Sequence, residues 1–286
     1  MTTIAEAILH GANRLRKAGV PDARREAGSL LGHAIDRDRT FIISHAEDSI
    51  TAEQAEEFAT FVAARAEGKP LQYLTGQQEF FGLNFEVNEN VLIPRPETEL
   101  LVETALKLLS MSGPESLICD VGTGSGCVAV TLLHERPNAR AVALDISPAA
   151  LEVAQRNAAR HWVADRVEFL VSDCFAAVQK ERLFDLIVSN PPYIPSGDIE
   201  GLQREVRDYE PHLALAAGHE GLDIIRRLLI DAGSHLKTGG HFLFEIGFDQ
   251  RAAVESLIVG SRSWKLLDIY PDLQGIPRTV ALHKPT

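Results

Sequence analysis

A chain of 286 residues, 45% of them hydrophobic, can bury a sizeable core and is long enough for two domains, so it is neither disordered nor a disulfide-stapled miniature. Its 28 Lys and Arg against 40 Asp and Glu leave a net charge of -12, which argues against a protein held to naked nucleic acid mainly by phosphate contacts. Three cysteines, Cys119, Cys127 and Cys174, with no CxxC pair suggest neither a disulfide framework nor a metal site; a reducing cytoplasm fits best.

The N-terminal segment MTTIAEAILHGANRLRKAG is amphipathic and carries Arg14, Arg16 and Lys17 late, unlike a signal peptide. No apolar run approaches the length of a membrane span. Up to Gly68 the apolar spacing is helical: Ile4, Ile8 and Leu15; Ala27, Leu30, Leu31 and Ala34; Phe58 and Val62. Thr51 and Gln54 form a capping-box pattern that opens the third helix. Residues 1–75 therefore read as a small all-helical domain. Phe81, Leu83, Phe85 and Val87 then alternate with Gly82, Asn84, Glu86 and Asn88, a period of two that marks a strand, and NEN at 88–90 reads as a hairpin turn. Residues 76–93 are expected to form a β-hairpin linker.

From Pro94 to the last residue, 94–286, strands alternate with helix-length segments: LICDV (117–121), ARAVAL (139–144), VEFLV (167–171), FDLIVS (184–189) and HFLFEI (241–246). That alternation predicts an α/β fold with a doubly wound, mostly parallel sheet. WKLLDIY and DLQGIPRTVALH read as two further strands, bringing in antiparallel pairing at the end of the sheet.

DVGTGSG, from Asp120 to Gly126, follows the first strand of this sheet and leads into a helix, where such sheets bind ligands. Gly122, Gly124 and Gly126 let the chain turn tightly and approach a bound molecule, with Thr123 and Ser125 between them. The dinucleotide fingerprint GxGxxG wants glycine at Cys127, and no GxxxxGK[ST] loop exists. The next strand ends at Asp145, 19 residues after Gly126, placed for a carboxylate to accept both hydroxyls of an adenosine ribose. Loop and acid together fit S-adenosylmethionine better than NAD. Asp120 is then a candidate for the cofactor's amino-acid end, Asp173 for the adenine amino group, and Cys174 and Phe175 for walls of the ring, although a loop Asp and a core Phe are the more frequent uses of such residues.

The fourth strand of this sheet ends in VSNPPYI, 188–194, on the same sheet edge. Asn and Pro stop strands, so a turn explains part of it. The whole tetrapeptide does more. A planar amide or exocyclic amine is a poor nucleophile because its lone pair is delocalised; Asn190 through its side-chain oxygen and Pro191 through its carbonyl can accept its two N–H groups and aim the remaining lone pair at a methyl donor. Pro192 stiffens the turn, and Tyr193 offers a flat face for stacking. In IPRPETE, the prolines and acids suit entry to the following helix, while Arg95 is a candidate to frame the acceptor pocket. The stretch from Pro195 to Ala217 suits a lid or partner-binding loop.

NPPY resembles the [DNS]PP[YFW] signature of amino-methyltransferases, and with DVGTGSG it resembles a class I S-adenosylmethionine-dependent enzyme. FFGLNFEVNENVLIPRPETELLVE (80–103), SNPPYIP (189–195), YEPHLALAAGHEGLDIIRRLL (209–229) and FEIG (244–247) resemble the HemK-type protein-glutamine methyltransferases of peptide chain release factors, nearly end to end. The resemblance implies a seven-stranded class I sheet and methylation of the glutamine amide in the release factor's Gly-Gly-Gln motif. It implies cofactor contacts at Gly122 to Gly126, Asp145, the 173–175 wall and Asn190, and substrate contacts at Asn190 to Tyr193, with the helical domain gripping the protein substrate. Cys174 departs from the aromatic that many members carry there. Two other readings stay open: a DNA adenine or cytosine amino-methyltransferase, against which the charge and the lack of a basic insert speak, and a non-catalytic cofactor-binding protein. Neither direct DNA binding nor membrane attachment is expected.

Overall fold

The computed structural model describes residues 2–110, 115–261 and 263–285. In chain order it contains α1 (Ile4–Lys17), α2 (Ala23–Ala34), α3 (Arg39–Ser44), α4 (Ala52–Ala66), α5 (Leu71–Thr75), β1 (Gln77–Phe80), β2 (Leu83–Glu86), α6 (Glu99–Leu109), β3 (Leu117–Val121), α7 (Cys127–Glu135), β4 (Arg140–Asp145), α8 (Pro148–Arg160), β5 (Val167–Val171), β6 (Phe184–Ser189), α9 (Arg204–Tyr209), α10 (Asp223–Asp231), β7 (Leu236–Glu245), α11 (Arg251–Gly260), β8 (Lys265–Pro271) and β9 (Pro277–His283), with short 3-10 turns between. Two compact units emerge. One runs to Gln77 and takes in Gln203–Tyr209; the other comprises Gln78–Leu202 and the chain from Glu210 onward.

The smaller unit is all helical. Capping boxes start two of its helices: Thr3 with Glu6 opens α1, and Thr51 with Gln54 opens α4, each pair satisfying two backbone N–H groups that a helix start leaves orphaned. Leu15, Leu30, Leu31, Phe58 and Val62 are buried in its core. At Gly11 an added Cβ would stand 2.5 Å from the Phe58 ring, so glycine is what lets α1 and α4 pack this closely. Arg65 of α4 is buried between Glu26 of α2 (Nε to Oε2, 2.5 Å) and Glu205 of α9 (2.8 Å), which ties the inserted helix to this unit.

The larger unit holds a seven-stranded sheet in the order β5-β4-β3-β6-β7-β9-β8, parallel except that β9 runs antiparallel to both β7 and β8. Side chains alternate between its faces as the strand period requires. Ile118, Leu186, Val188 and Leu243 pack on one side with α6 and α7, whereas Cys119, Ile187, Phe242 and Phe244 pack on the other with α10 and α11. After β3 the chain turns one way to β4, while β6 pairs with β3 on its other side (Asp120 opposite Val188, Val121 opposite Ser189), so the strand order reverses there and leaves a crevice at the carboxyl ends.

The hairpin differs from its reading in sequence. Its turn is Phe81–Gly82, with φ of 53° and 75°, and its strands are β1 and β2; the Asn88–Asn90 stretch is a local turn, with Asn88 accepting from the Asn90 N–H, and no strand returns from it. A run of phenylalanines hides the turn from a period-two reading, yet Phe80 and Phe85 are fully buried and Phe81 is not. Nor does the hairpin stand apart as a linker. Buried Asn157 of α8 accepts from the Glu86 N–H (2.7 Å) and donates to the carbonyls of Glu86 (3.0 Å) and Ser125 (2.9 Å), binding β2 and the glycine loop to one helix.

Candidate active site

The carboxyl ends of β3, β4 and β6 open onto a cavity of about 410 Å³, within the range of small-molecule sites. Of the residues singled out in the sequence, Asp120, Gly122 to Ser125, Asp145, Asp173, Cys174, Asn190, Pro191, Pro192 and Arg95 line it. Phe175, Tyr193 and Gly126 do not.

The glycine loop is held almost wholly by its own neighbourhood. The N–H groups of Gly122 and Thr123 both donate to the Leu144 carbonyl at 2.9 Å. Gly122 and Gly124 have φ of +74° and +55° with open space where a Cβ would stand. Gly126 (φ +81°) serves a different end, since a Cβ there would meet the Ala154 Cβ at 3.1 Å; it lets the loop lie against α8. Asp120 is buried, and its Oδ2 accepts from the Thr123 hydroxyl (2.7 Å) and the Ala129 N–H (3.2 Å), while burial pushes its carboxyl up to about 6. Asp145 accepts the Gly124 N–H on Oδ2 (2.8 Å) and the Ser147 N–H on Oδ1 (2.9 Å); burial shifts its carboxyl upward, against these bonds and one from the Ile146 N–H. An ionised carboxylate has about four lone-pair sites, so the Asp145 carboxylate keeps capacity for a ribose hydroxyl beside its backbone donors. Open backbone at two glycines and a pre-oriented carboxylate fit S-adenosylmethionine, the cofactor read from the sequence.

The proposed adenine wall needs correction. Phe175 is buried in the core, stacked on His235 with ring centroids 4.9 Å apart, because the left-handed backbone at Cys174 (φ 49°) swings the next residue inward. Ile146 and Ile224, which sequence reading passed over, supply apolar lining along with Cys174. Asp173 is half exposed and paired with Arg227 at 2.9 Å, and both line the cavity.

Asn190 sits in a network of residues distant in sequence. Asn190 donates through Nδ2 to the Thr98 hydroxyl (2.9 Å), Thr98 donates to Glu245 Oε2 (2.7 Å), and the Tyr193 hydroxyl donates to Glu245 Oε1 (3.2 Å). Tyr193, read as a stacking face, is thus tethered by its hydroxyl and forms no part of the cavity wall, which here is made by Pro191 and Pro192. Its carbonyl accepts from Gln250 Nε2 (2.8 Å), which also reaches the Gly221 carbonyl (3.0 Å); a Cβ at Gly221 would stand 2.3 Å from that Tyr193 oxygen. Glu245 is buried at the end of β7, and burial pushes its carboxyl up to about 7 and raises the Tyr193 phenol as well. Thr98 and Glu245 lie in PRPET and FEIG, motifs visible in the sequence, but nothing local connects them to Asn190.

Arg95 is fixed by Glu210, which takes its Nη2 on Oε1 at 2.5 Å and the Ile93 N–H on Oε2 at 3.2 Å. The segment read as a lid is anchored where it re-enters the larger unit: the Ile194 and Ala217 N–H groups bond across to Leu215 and Ile194, and the Ser196 N–H donates to Gly218. Pro211, Leu213, Ala214 and Ala216 from this stretch line the cavity, with Leu213 72% exposed.

Comparison with known proteins agrees with this geometry. Residues 6–76 match the PrmC N-terminal domain family and residues 96–203 the methyltransferase small domain family. The chain is 43% identical to a release factor glutamine methyltransferase of Koribacter versatilis over 99% of both chains, and 44% identical to one of Cereibacter sphaeroides over 98% of both. A methyltransferase from Pyrococcus furiosus, 18% identical, shares the fold with a TM-score of 0.53 over 80% of this chain and 100% of that one. With identity above two fifths over nearly the full length and both domain families in order, the chain belongs to the release factor glutamine methyltransferase family.

Proposed function

We propose that this protein transfers a methyl group from S-adenosylmethionine to the side-chain amide nitrogen of the glutamine in the Gly-Gly-Gln motif of peptide chain release factors. The carrying observation is the orientation of Asn190. Thr98 spends its only proton on Glu245, so it accepts from the Asn190 Nδ2–H, and this leaves Asn190 Oδ1 as the end that meets an acceptor. When bound, the cofactor supplies an electrophilic methyl carbon on a sulfonium. Asn190 Oδ1 and the Pro191 carbonyl each accept one N–H of the glutamine amide and stabilise the positive charge that builds on nitrogen as its lone pair is used. With the cofactor bound, Asp145 would hold ribose hydroxyls, and the open backbone at Gly122 and Gly124 would leave it room to approach. The amide loses its surplus proton to water afterwards, so no charged base is required.

The helical unit grips the release factor, and the protein works in the cytoplasm without binding DNA. Among the described residues no helix is long and apolar enough to cross a membrane. The deciding experiment offers labelled cofactor to the purified chain with a release factor, the same factor with its Gly-Gly-Gln glutamine replaced by alanine, and duplex DNA. Label and the mass of one methylene on that glutamine are expected. Labelled DNA with unlabelled protein would reverse the reading in favour of an exocyclic base amine. For the helical unit, removing residues 1–76 should raise KM for intact release factor more than for a short Gly-Gly-Gln peptide, provided the remainder still binds cofactor.

A further inference from the structure

An asparagine amide has a donor end and an acceptor end of nearly the same shape, so a site that needs the acceptor end must be told which way round to hold it. Packing alone cannot do this. In this protein the instruction is a chain of hydrogen bonds, and its far end is a buried carboxylate, Glu245.

We propose that Glu245, acting through Thr98, is a positioning residue that sets which end of the Asn190 amide faces the methyl acceptor. The proposal rests on the reading of Asn190 as the group that accepts the acceptor's N–H. With Glu245 ionised, both its oxygens only accept: Tyr193 donates to Oε1 and Thr98 to Oε2. The Thr98 oxygen then takes the Asn190 Nδ2–H, and Asn190 Oδ1 is presented to the substrate. With a proton on Glu245 Oε2, the carboxylic acid donates to Thr98 instead. Thr98 is then free to donate to Asn190, which favours the flipped amide, and an NH2 group would meet the substrate's own N–H. Donor against donor is a misfit that costs the hydrogen bond and misaims the nitrogen.

The surroundings leave Glu245 able to switch. Tyr193 and Thr98 bond to it; Arg278 on β9, itself paired with Asp272 at 3.2 Å, favours its charge; Glu97 opposes it; Cys127 of α7 feels its charge; and Thr279, its cross-strand neighbour on β9, is neutral. Desolvation outweighs the favourable partners and places the titration at about 7. The carboxylate is therefore neither locked in its charged form nor permanently neutral.

Single-turnover methylation of a Gly-Gly-Gln peptide, followed across pH, tests this. The wild-type rate should fall on the acid side with a midpoint of about 7, and Glu245→Gln, which cannot ionise, should lose that limb. Thr98→Val, close in shape but without the hydroxyl, should slow the step roughly tenfold or more while cofactor affinity by calorimetry stays within about twofold; Thr98→Ser should recover most of the rate. A readout free of turnover is the side-chain NH2 signal pair of Asn190, identified by its absence in Asn190→Ala. In the wild-type protein it should shift with the same midpoint, and in Thr98→Val it should not. An acid limb that persists in Glu245→Gln, a wild-type rate in Thr98→Val, or an Asn190 signal indifferent to pH would each overturn the relay. A wild-type rate in Asn190→Ala would instead overturn the acceptor reading beneath it.

Discussion

The two halves of the cavity are built in opposite ways. On the cofactor side the contacts are close in sequence or lie between adjacent strand ends: Thr123 to Asp120, Ser147 to Asp145, and the 122–124 loop against the end of β4. On the acceptor side Asn190 depends on Thr98, 92 residues away, and Thr98 on Glu245, a further 147. Backbone donors and a strand-end carboxylate make a cradle that a short motif can specify. Orienting a neutral amide takes side chains that meet only when the sheet and α6 are assembled. The first arrangement tolerates change at a distance; the second transmits it.

The comparison breaks most visibly at Asn190. Asn190→Ala should lower kcat by roughly 10²-fold or more, because its oxygen acts on charge that appears in the transition state, and should leave cofactor affinity within a few-fold. Stopped single-turnover kinetics with parallel calorimetry separates the two. Asp145→Ala should do the converse, weakening cofactor affinity by roughly tenfold or more through lost charge-assisted hydrogen bonds, with loosening of the Gly124 and Ser147 N–H groups that it now holds. Unchanged affinity in that variant would remove Asp145 from the cofactor site.

A smaller effect sharpens the contrast through pH. Asp120 rises from 3.8 to about 6 and Glu245 from 4.5 to about 7 on folding, so in this window the folded chain keeps protons that the unfolded chain has released. Their stabilisation is complete below the unfolded values and is lost as pH climbs through the folded ones. The melting temperature of the larger unit should therefore decline as pH rises from about 4 to 7, and Glu245→Gln should decline less. A wild-type melting curve that improves across this window would contradict the burial of both acids. The stabilisation is fully lost only above about 7, where ionised Glu245 presents Asn190 correctly, so the site gives up stability for orientation.

The smallest effect concerns Phe175. Since it stacks on His235 in the core, Phe175→Leu should lower the melting temperature yet leave cofactor affinity within about twofold. A large loss of affinity with an unchanged melting curve would return Phe175 to the cavity wall.

Sequence patterning alone placed all seven strands of the sheet and the main helices of the first unit, because short apolar runs between turn signals and capped amphipathic helices write their spacing directly into the chain. It also located the glycine loop, Asp145 and NPPY, whose chemistry is carried by adjacent residues. It misplaced the hairpin turn, since Phe81 continues an apolar alternation across a left-handed turn, and it set Phe175 in the cavity because spacing says nothing about which way a residue after a positive φ will face. Only the tertiary structure decided that Tyr193 is a tether, that Arg95 is held by Glu210, and that Thr98 and Glu245 stand behind Asn190. Those contacts join α6, β6, β7 and the returning loop, and a hydrogen bond between residues far apart in sequence has no periodic signature; it exists once strand order and register bring its two ends within hydrogen-bond distance.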